Sequence, residues 1–121
     1  MKILIIKTTT NLLAGNSIDK FNAEVGASWK IRPERLYKGP VSIVVVLKDK
    51  ILIGAFALGD EIHHNIATCR TTITLLDQSK NPAVNKKIAE LRNLIHCKFD
   101  YRAINPATTK NFDDFINTLE D

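Results

Sequence analysis

One short segment of the sequence brings together side chains that could bind a nucleic acid. Trp29 is the only tryptophan of the chain, and four cations follow it at Lys30, Arg32, Arg35 and Lys38. An indole face can stack on an unpaired base, which contributes about 1–3 kcal/mol per base, while nearby cations neutralise the phosphates. The segment therefore predicts a nucleic-acid-binding site in which Trp29 stacks and the cations contact phosphates. The alternative is a core tryptophan with a solvated rim of cations.

The residues that could support catalysis or ligate a metal do not form a known motif. The sequence has no Gly-x-Ser-x-Gly, no glycine-rich phosphate loop and no Cys-x-x-Cys or His-x-x-x-His spacing. His63, His64 and Cys69 can ligate zinc, but adjacent histidines on an extended segment point to opposite sides. Asp60 and Glu61 lack a following Glu-x-Lys and are interpreted as solvated turn acids. We predict no catalytic residue, no metal site and no cofactor, and favour a non-enzymatic role over an enzymatic one. A zinc site at His63, His64 and Cys69 is the alternative, which a measurement of bound metal would test.

The composition indicates one ordinary globular domain, residues 1–121. The chain has 45% hydrophobic and 25% charged residues, and no repeat or linker divides it. Its longest apolar runs, residues 3–6 and 43–47, are far shorter than the ~20 residues of a membrane-spanning helix, so we expect no membrane partner. Cys69 and Cys97 make no disulfide framework, which favours reduced thiols and a cytoplasmic location. The net charge of +4 favours a polyanionic partner.

The hydrophobic pattern predicts about five strands. The clearest are residues 41–47 and 51–58, which are joined by the polar turn Lys48-Asp49-Lys50 and therefore predict a β-hairpin. Both arms are apolar on both faces, so we expect them to be covered on both sides, in a barrel or between helices. The other three predicted strands are residues 2–7, 71–76 and 98–104. Residues 28–32 are a further candidate for a short strand, and residues 59–68 are predicted as a polar loop.

Three helices and one helical turn are predicted. Asn16 or Ser17 caps a helix that ends at Val25, and Asn81 caps a helix that begins at Pro82. Residues 110–119 form the last helix, and residues 33–37 form the single turn. The middle helix has one buried face: Val84, Ile88, Leu91 and Ile95. Its outer side is interpreted as a solvated face or as a second phosphate-contacting surface, and its cations are Lys80, Lys86, Lys87 and Arg92.

The order of these features resembles the PUA-like superfamily of small barrels, which includes EVE, YTH, ASCH and SRA-type domains. That order is a strand, a polar loop, a helix, a basic turn with tryptophan, an apolar strand ending in Lys-Asp-Lys, and a strand Ile-x-x-Gly-Ala-Phe. In several members an aromatic residue precedes a hairpin whose second strand has a glycine followed by an apolar residue. The matching residues here are Trp29 and Ile53-Gly54-Ala55-Phe56. The resemblance covers roughly residues 2–76.

The predicted strands and helices indicate an α+β fold, and the resemblance implies its form. A small mixed or antiparallel sheet of about five strands would curl into a pseudo-barrel with three to four flanking helices. The resemblance also implies a pocket that recognises an unstacked base, often a modified one, in RNA or DNA, or else a surface that binds RNA. Trp29 would form its stacking wall, and Asn16 or Asn22 would contact the base edge. Tyr37 and Phe56 are the candidates for a second aromatic wall, although Phe56 is expected in the core.

Three functions are compatible with these features. The favoured one is a non-enzymatic nucleic-acid-binding module, with the choice of RNA or DNA left open. A small protein-binding regulator, such as a phage-type inhibitor of a host enzyme, suits the small size and the lack of a catalytic motif. A metal-dependent nuclease that uses Asp60 or Glu61 is the third. Salt-sensitive nucleic-acid binding, a stoichiometric protein partner and divalent-dependent cleavage would distinguish them.

Overall fold

A computed structural model of the chain describes residues 2–8, 12–25, 41–67, 70–101 and 107–120. Within them, five strands form one mixed sheet with the spatial order β4-β3-β2-β1-β5. β1 and β2 are parallel, and each other pair of neighbours is antiparallel. The strands are β1 (Lys2–Lys7), β2 (Val41–Lys48), β3 (Ile51–Asn65), β4 (Arg70–Leu76) and β5 (Ala107–Asn111).

The sheet is open, with β4 and β5 at its two edges. The predicted α+β fold with a mixed sheet of about five strands is confirmed. The pseudo-barrel that the resemblance implied is not confirmed, because these strands do not close into a barrel. The predicted strand at residues 28–32 and the helical turn at residues 33–37 lie outside the described residues.

Helices cover both faces of the sheet, because the central strands are apolar on both sides. Alternate residues of β1 and β2 enter two separate cores. On one face, Ile3 and Ile43 pack with α2 (Pro82–Arg92) and α3 (Phe112–Ile116). On the other face, Leu4 and Val44 pack with α1 (Ile18–Val25) and the buried Leu12. The expectation that the hairpin is covered on both sides is confirmed, with helices as the cover. No helix among the described residues has both the length and the apolar character needed to span a membrane.

The predicted hairpin is confirmed, and its turn is tight. Lys48 pairs with Ile51, so Asp49 and Lys50 form a two-residue turn. Both turn residues have positive φ, 52° for Asp49 and 67° for Lys50. This is the type I′ geometry, whose twist matches that of the flanking strands.

β3 contains a bulge that changes which side chains face α1. Val46 pairs with Gly54 and Leu47 pairs with Leu52, so Ile53 is an extra residue on β3. Ile53 therefore enters the core beneath α1, and a Cβ at Gly54 would point into the same core. That Cβ would lie 2.7 Å from the Phe56 ring and 3.0 Å from the Phe21 ring. Glycine is required here by the close approach of these two aromatic rings.

The prediction of a polar loop at residues 59–68 is wrong. β3 continues to Asn65, and residues 62–65 pair with residues 70–73 of β4. Pairing is irregular between Leu58 and Ile62 and then resumes. Backbone groups can pair whether or not the side chains are apolar, so a polar run can extend a ladder beyond the core.

The last part of the chain differs from the prediction in which residues form the strand. Lys98 and Phe99 make only isolated bridges, to Ile51 and Leu119, and the edge strand is β5 at Ala107–Asn111. Phe99 and Tyr101 are buried, while Lys98 is exposed. The phenyl ring of Phe99 instead stacks on that of Phe115, with centroids 4.5 Å apart.

Helix boundaries follow local capping. Asn81 caps α2, where its Oδ1 accepts a hydrogen bond from the Ala83 N–H at 2.9 Å, as predicted. α2 ends at Arg92, so Ile95 lies beyond it and is only partly buried. α3 begins later than predicted because Asn111 caps it, accepting from the Asp113 N–H at 3.0 Å, and it ends at Ile116, where the prediction extended to residue 119.

Candidate functional site

The predicted binding segment falls between two described elements. α1 ends at Val25 and β2 begins at Val41, and the residues between them lie outside the described part of the chain. These include Trp29, Lys30, Arg32, Arg35 and Lys38, whose proposed roles therefore stay predictions. Asn16 and Asn22 are the members of the predicted site that the structure describes.

Asn22 bonds to the backbone of the edge strand β4. Its Oδ1 accepts from the Leu75 N–H at 2.7 Å, and its Nδ2 donates to the Leu75 carbonyl at 3.1 Å. The carboxamide thus presents to β4 the same donor and acceptor that a neighbouring strand would. A base-edge contact by Asn22 would have to use its remaining N–H and its remaining lone pair.

Asn16 closes a turn before α1 and borders a cleft. Its Oδ1 accepts from the Leu13 backbone N–H at 2.7 Å, and its backbone N–H donates to the Leu13 carbonyl at 3.0 Å. The side chain is half-buried and lines a cleft of about 240 Å³ with Phe56 and Arg92. Asn16 and Asn22 contact different partners, and no hydrogen bond between them is present.

A larger cleft, of about 420 Å³, opens beside the hairpin turn, and we call it the turn cleft. It shares Ala14 and Ile53 with the smaller cleft, so the two are neighbours. Its lining is mainly apolar. The cleft is lined by the segment before α1, by the β2–β3 hairpin and by the turn after α2. The lining residues are Leu12, Leu13, Ala14, Gly15, Lys48, Asp49, Ile51, Ile53 and His96.

The apolar lining of the turn cleft is partly exposed to solvent. Leu12 and Ile53 are buried at 0% and 6% exposure, whereas Leu13 is 63% exposed and Ile51 is 36% exposed. Leu13 and Ile51 therefore leave apolar surface of the cleft in contact with water. A cleft of this volume lies within the range of small-molecule sites, roughly 300–1,000 Å³.

Three polar residues border the turn cleft. The Lys48 ammonium donates to the Leu12 carbonyl at 3.5 Å, and no ion pair joins it to a carboxylate among the described residues. Asp49 and His96 are exposed, and both have positive φ, 52° and 75°. The His96 backbone is fixed by its N–H, which donates to the Leu52 carbonyl at 2.9 Å.

The cations of α2 do not form one uniform surface. Arg92 donates to the Ala55 carbonyl at 3.2 Å and forms an ion pair with Asp77 at 3.0 Å. Its guanidinium lies 6.0 Å from the centroid of Phe56. Lys87 lies over the Phe112 ring at 4.7 Å. Arg92 and Lys87 thus contribute to packing, while Lys80 and Lys86 are exposed.

The remaining metal-capable residues lie on β3 or outside the described residues. His63 and His64 pair with Thr72 and Thr71 in the extension of β3, so their assignment to a loop is wrong. Asp60 and Glu61 belong to the irregular stretch of that strand, and Cys69 is not among the described residues. Within the described part, no group of three or more His, Cys, Asp or Glu could hold a metal ion.

Tyr101 is a buried residue whose side chain contacts residues of β5. Its hydroxyl forms a hydrogen bond with Thr108 Oγ1, and the Lys110 ammonium lies 5.5 Å from its ring centroid. Burial raises the pKa of Tyr101 above its ordinary value. The neutral phenol is thus the form that the folded protein favours.

The turn cleft was not predicted from the sequence. The polar loop that the sequence predicts between the first strand and the first helix contains two adjacent apolar residues, Leu12 and Leu13. Two large apolar side chains in a polar loop indicate that the loop packs against the rest of the fold, and this is the sequence signal for the cleft.

Comparisons with protein-family models, with curated proteins and with solved structures found no match.

Proposed function

We propose that this chain is a non-enzymatic nucleic-acid-binding module, related to PUA-like domains, that contacts its ligand through the segment between α1 and β2. The observation that carries the proposal is the composition of this segment. It holds the single tryptophan and four cations but one carboxylate, Glu34. Trp29 stacks on an unpaired base, and the cations Lys30, Arg32, Arg35 and Lys38 contact phosphates.

Rigid attachment of the segment at both ends supports this proposal. On one side α1 is held by the buried Phe21, whose ring centroid lies 4.8 Å from that of Phe56, and by the Asn22–Leu75 bonds. On the other side Val41 begins a central strand and is itself buried. Fixing both ends of a chain segment lowers the conformational entropy that is lost when a ligand binds to it.

Charge near the second anchor also supports the proposal. Lys2 is exposed and pairs with Val41, the residue at which the basic segment joins β2. It therefore adds a cation at the end of the sheet where the segment joins β2. A phosphate backbone is attracted by the sum of such charges, which gives a strong dependence of affinity on salt.

Salt titration of binding tests the proposal. Fluorescently labelled single-stranded RNA and DNA oligonucleotides are titrated with protein at several salt concentrations. We expect log affinity to fall linearly with log salt, and the slope to shrink by about two in Arg32→Ala/Arg35→Ala, about one per phosphate contact. The matched control is Lys80→Ala/Lys86→Ala, which removes the same charge from two exposed residues, one just before α2 and one on it, and is expected to leave the slope nearly unchanged.

Three results would contradict the proposal. If the Arg32/Arg35 variant and the wild type had equal slopes of log affinity against log salt, the assignment of the binding site to this segment would be wrong. Capture of one stoichiometric protein partner, without salt-sensitive oligonucleotide binding, would favour the protein-binding regulator instead. Cleavage of the oligonucleotide that requires a divalent cation would favour the nuclease, and Asp60→Asn and Glu61→Gln would then identify its acids.

A further inference from the structure

We propose that the turn cleft binds a small amphipathic carboxylate, with its apolar part against Leu12, Leu13, Ile51 and Ile53 and its carboxylate at Lys48. None of the lining residues that the structure describes belongs to the basic segment, and the proposal does not depend on nucleic-acid binding. The proposal rests on a cleft of about 420 Å³, on its partly exposed apolar lining, and on one cation placed at its border.

The apolar part of the ligand is defined by the cleft lining. Leu12 and Ile53 are buried core residues, so they cannot move out of the cleft without disturbing the packing of the core. Leu13 and Ile51 are the exposed walls, so a ligand between them would remove apolar surface from water on both sides. Each methylene buried in this way contributes about 0.8 kcal/mol, which corresponds to about fourfold in affinity.

The charge of the ligand is defined by the polar border. Lys48 is half-buried, and its ammonium donates to the carbonyl of Leu12, a buried residue that lines the cleft. This bond places the charge close to the buried part of the cleft lining. No ion pair to a carboxylate among the described residues neutralises it. Asp49 is the opposing charge at the border, but it is exposed and so is screened by solvent more strongly. The net preference at the cleft is therefore for an anion.

His96 adds a neighbouring polar group on a fixed backbone. The backbone N–H of His96 donates to the Leu52 carbonyl, and the backbone carbonyl of Cys97 accepts from the Leu52 N–H at 3.0 Å. These two bonds attach the turn after α2 to β3. The imidazole is exposed at the cleft border. It can donate a second hydrogen bond to a carboxylate that Lys48 holds.

The test uses straight-chain probes of one charge type at a time. Hexanoate, octanoate and decanoate are titrated into the full chain, with octylamine as the cationic match for octanoate. Amide resonances of residues 12–15 and 51–53 are followed by two-dimensional NMR. We expect shifts at these residues, about fourfold tighter binding per added methylene, and several-fold tighter binding of octanoate than of octylamine.

Variants separate the charge from the apolar walls. Lys48→Gln is expected to remove the preference for octanoate over octylamine, whereas Asp49→Asn is expected to strengthen octanoate binding. Leu13→Ser is expected to weaken octanoate several-fold. Its control is Ile66→Ser, which removes another exposed apolar side chain, 85% exposed and outside the cleft. Spectra of each variant without ligand establish that the fold is retained.

Several outcomes would overturn the proposal. Absence of shifts at residues 12–15 and 51–53 with octanoate and decanoate would show that the cleft binds no such ligand. If the wild type bound octanoate and octylamine with equal affinity, the proposal that Lys48 selects a carboxylate would be wrong. Equal weakening by Leu13→Ser and Ile66→Ser would show that binding is nonspecific adsorption to exposed apolar residues.

Discussion

The carboxamide of Asn22 bonds both backbone groups of Leu75, at 2.7 Å and 3.1 Å, and so joins α1 to the edge strand β4. An edge strand presents unpaired N–H and C=O groups, which attract other strands. Asn22 satisfies those of Leu75 from the outer side. It also fixes the end of α1 from which the basic segment leaves, so one asparagine links the stability of the sheet to the position of the proposed binding segment.

Asn22→Ala is expected to destabilise the protein by about 1–3 kcal/mol, because it leaves two partly buried backbone groups of Leu75 without their partner. Urea unfolding followed by circular dichroism measures the change. We also expect increased self-association, since β4 would regain an uncovered edge. The control is Asn93→Ala, a change at the exposed C-cap of α2. A stability equal to that of the control would contradict the role given to Asn22.

Gly54→Ala is expected to cost about 1–3 kcal/mol, because the new Cβ would lie 2.7 Å from the Phe56 ring and 3.0 Å from the Phe21 ring. Gly15→Ala is the matched control. A Cβ at Gly15 meets no atom within 4 Å, and Gly15 has no positive φ. We therefore expect that change to be neutral or slightly stabilising. Thermal unfolding of the two variants is the measurement, and equal midpoints would contradict the close packing at Gly54.

Tyr101→Phe is expected to make the protein less sensitive to alkaline pH. Burial raises the pKa of Tyr101 in the folded state above the value of about 10 in the unfolded chain. The unfolded state therefore loses this proton first, and the free energy of unfolding falls as the pH rises above about 10. Urea unfolding between pH 8 and pH 11 should show a shallower decline for Tyr101→Phe. Tyr37→Phe serves as the control, and an equal decline in both variants would show that Tyr101 does not contribute.

The fluorescence of Trp29 distinguishes a stacking residue from a core residue. Because the chain has one tryptophan, the emission reports on that position alone. We expect quenching when an oligonucleotide binds, as an indole stacked on a base would give, and we expect Trp29→Ala to weaken binding by about 1–3 kcal/mol. An emission spectrum that oligonucleotide leaves unchanged, together with loss of stability in Trp29→Ala, would place Trp29 in the core instead.

Arg92→Ala is expected to lower stability by about 1–3 kcal/mol without changing the salt dependence of nucleic-acid binding. The guanidinium bonds the Ala55 carbonyl and pairs with Asp77, so its removal leaves the Ala55 carbonyl without this donor. Urea unfolding and the salt titration are the two measurements. A smaller salt slope in Arg92→Ala, with stability unchanged, would instead favour the second phosphate-contacting surface on α2.

The sequence alone determined those features that depend on neighbouring residues. β1, the hairpin of β2 and β3, and the start of α2 at Asn81-Pro82 follow from apolar runs, a polar turn and a capping side chain, all of which act locally. Double-sided burial of β2 also followed, because its residues are apolar on both faces. The basic segment around Trp29 is likewise a sequence feature, and it remains the basis of the proposed function.

Tertiary structure alone decided the features that depend on distant partners. β3 extends to Asn65 because its backbone pairs with β4, and β5 completes the sheet because β1 offers it a free edge, whereas Lys98 and Phe99 make only isolated bridges. Neither choice is encoded in side-chain polarity, since the backbone supplies the hydrogen bonds. The turn cleft has the same origin. Leu13 and Ile51 are far apart in the sequence, and they line one cleft because the parallel pairing of β1 with β2 places the residues after β1 beside the hairpin turn.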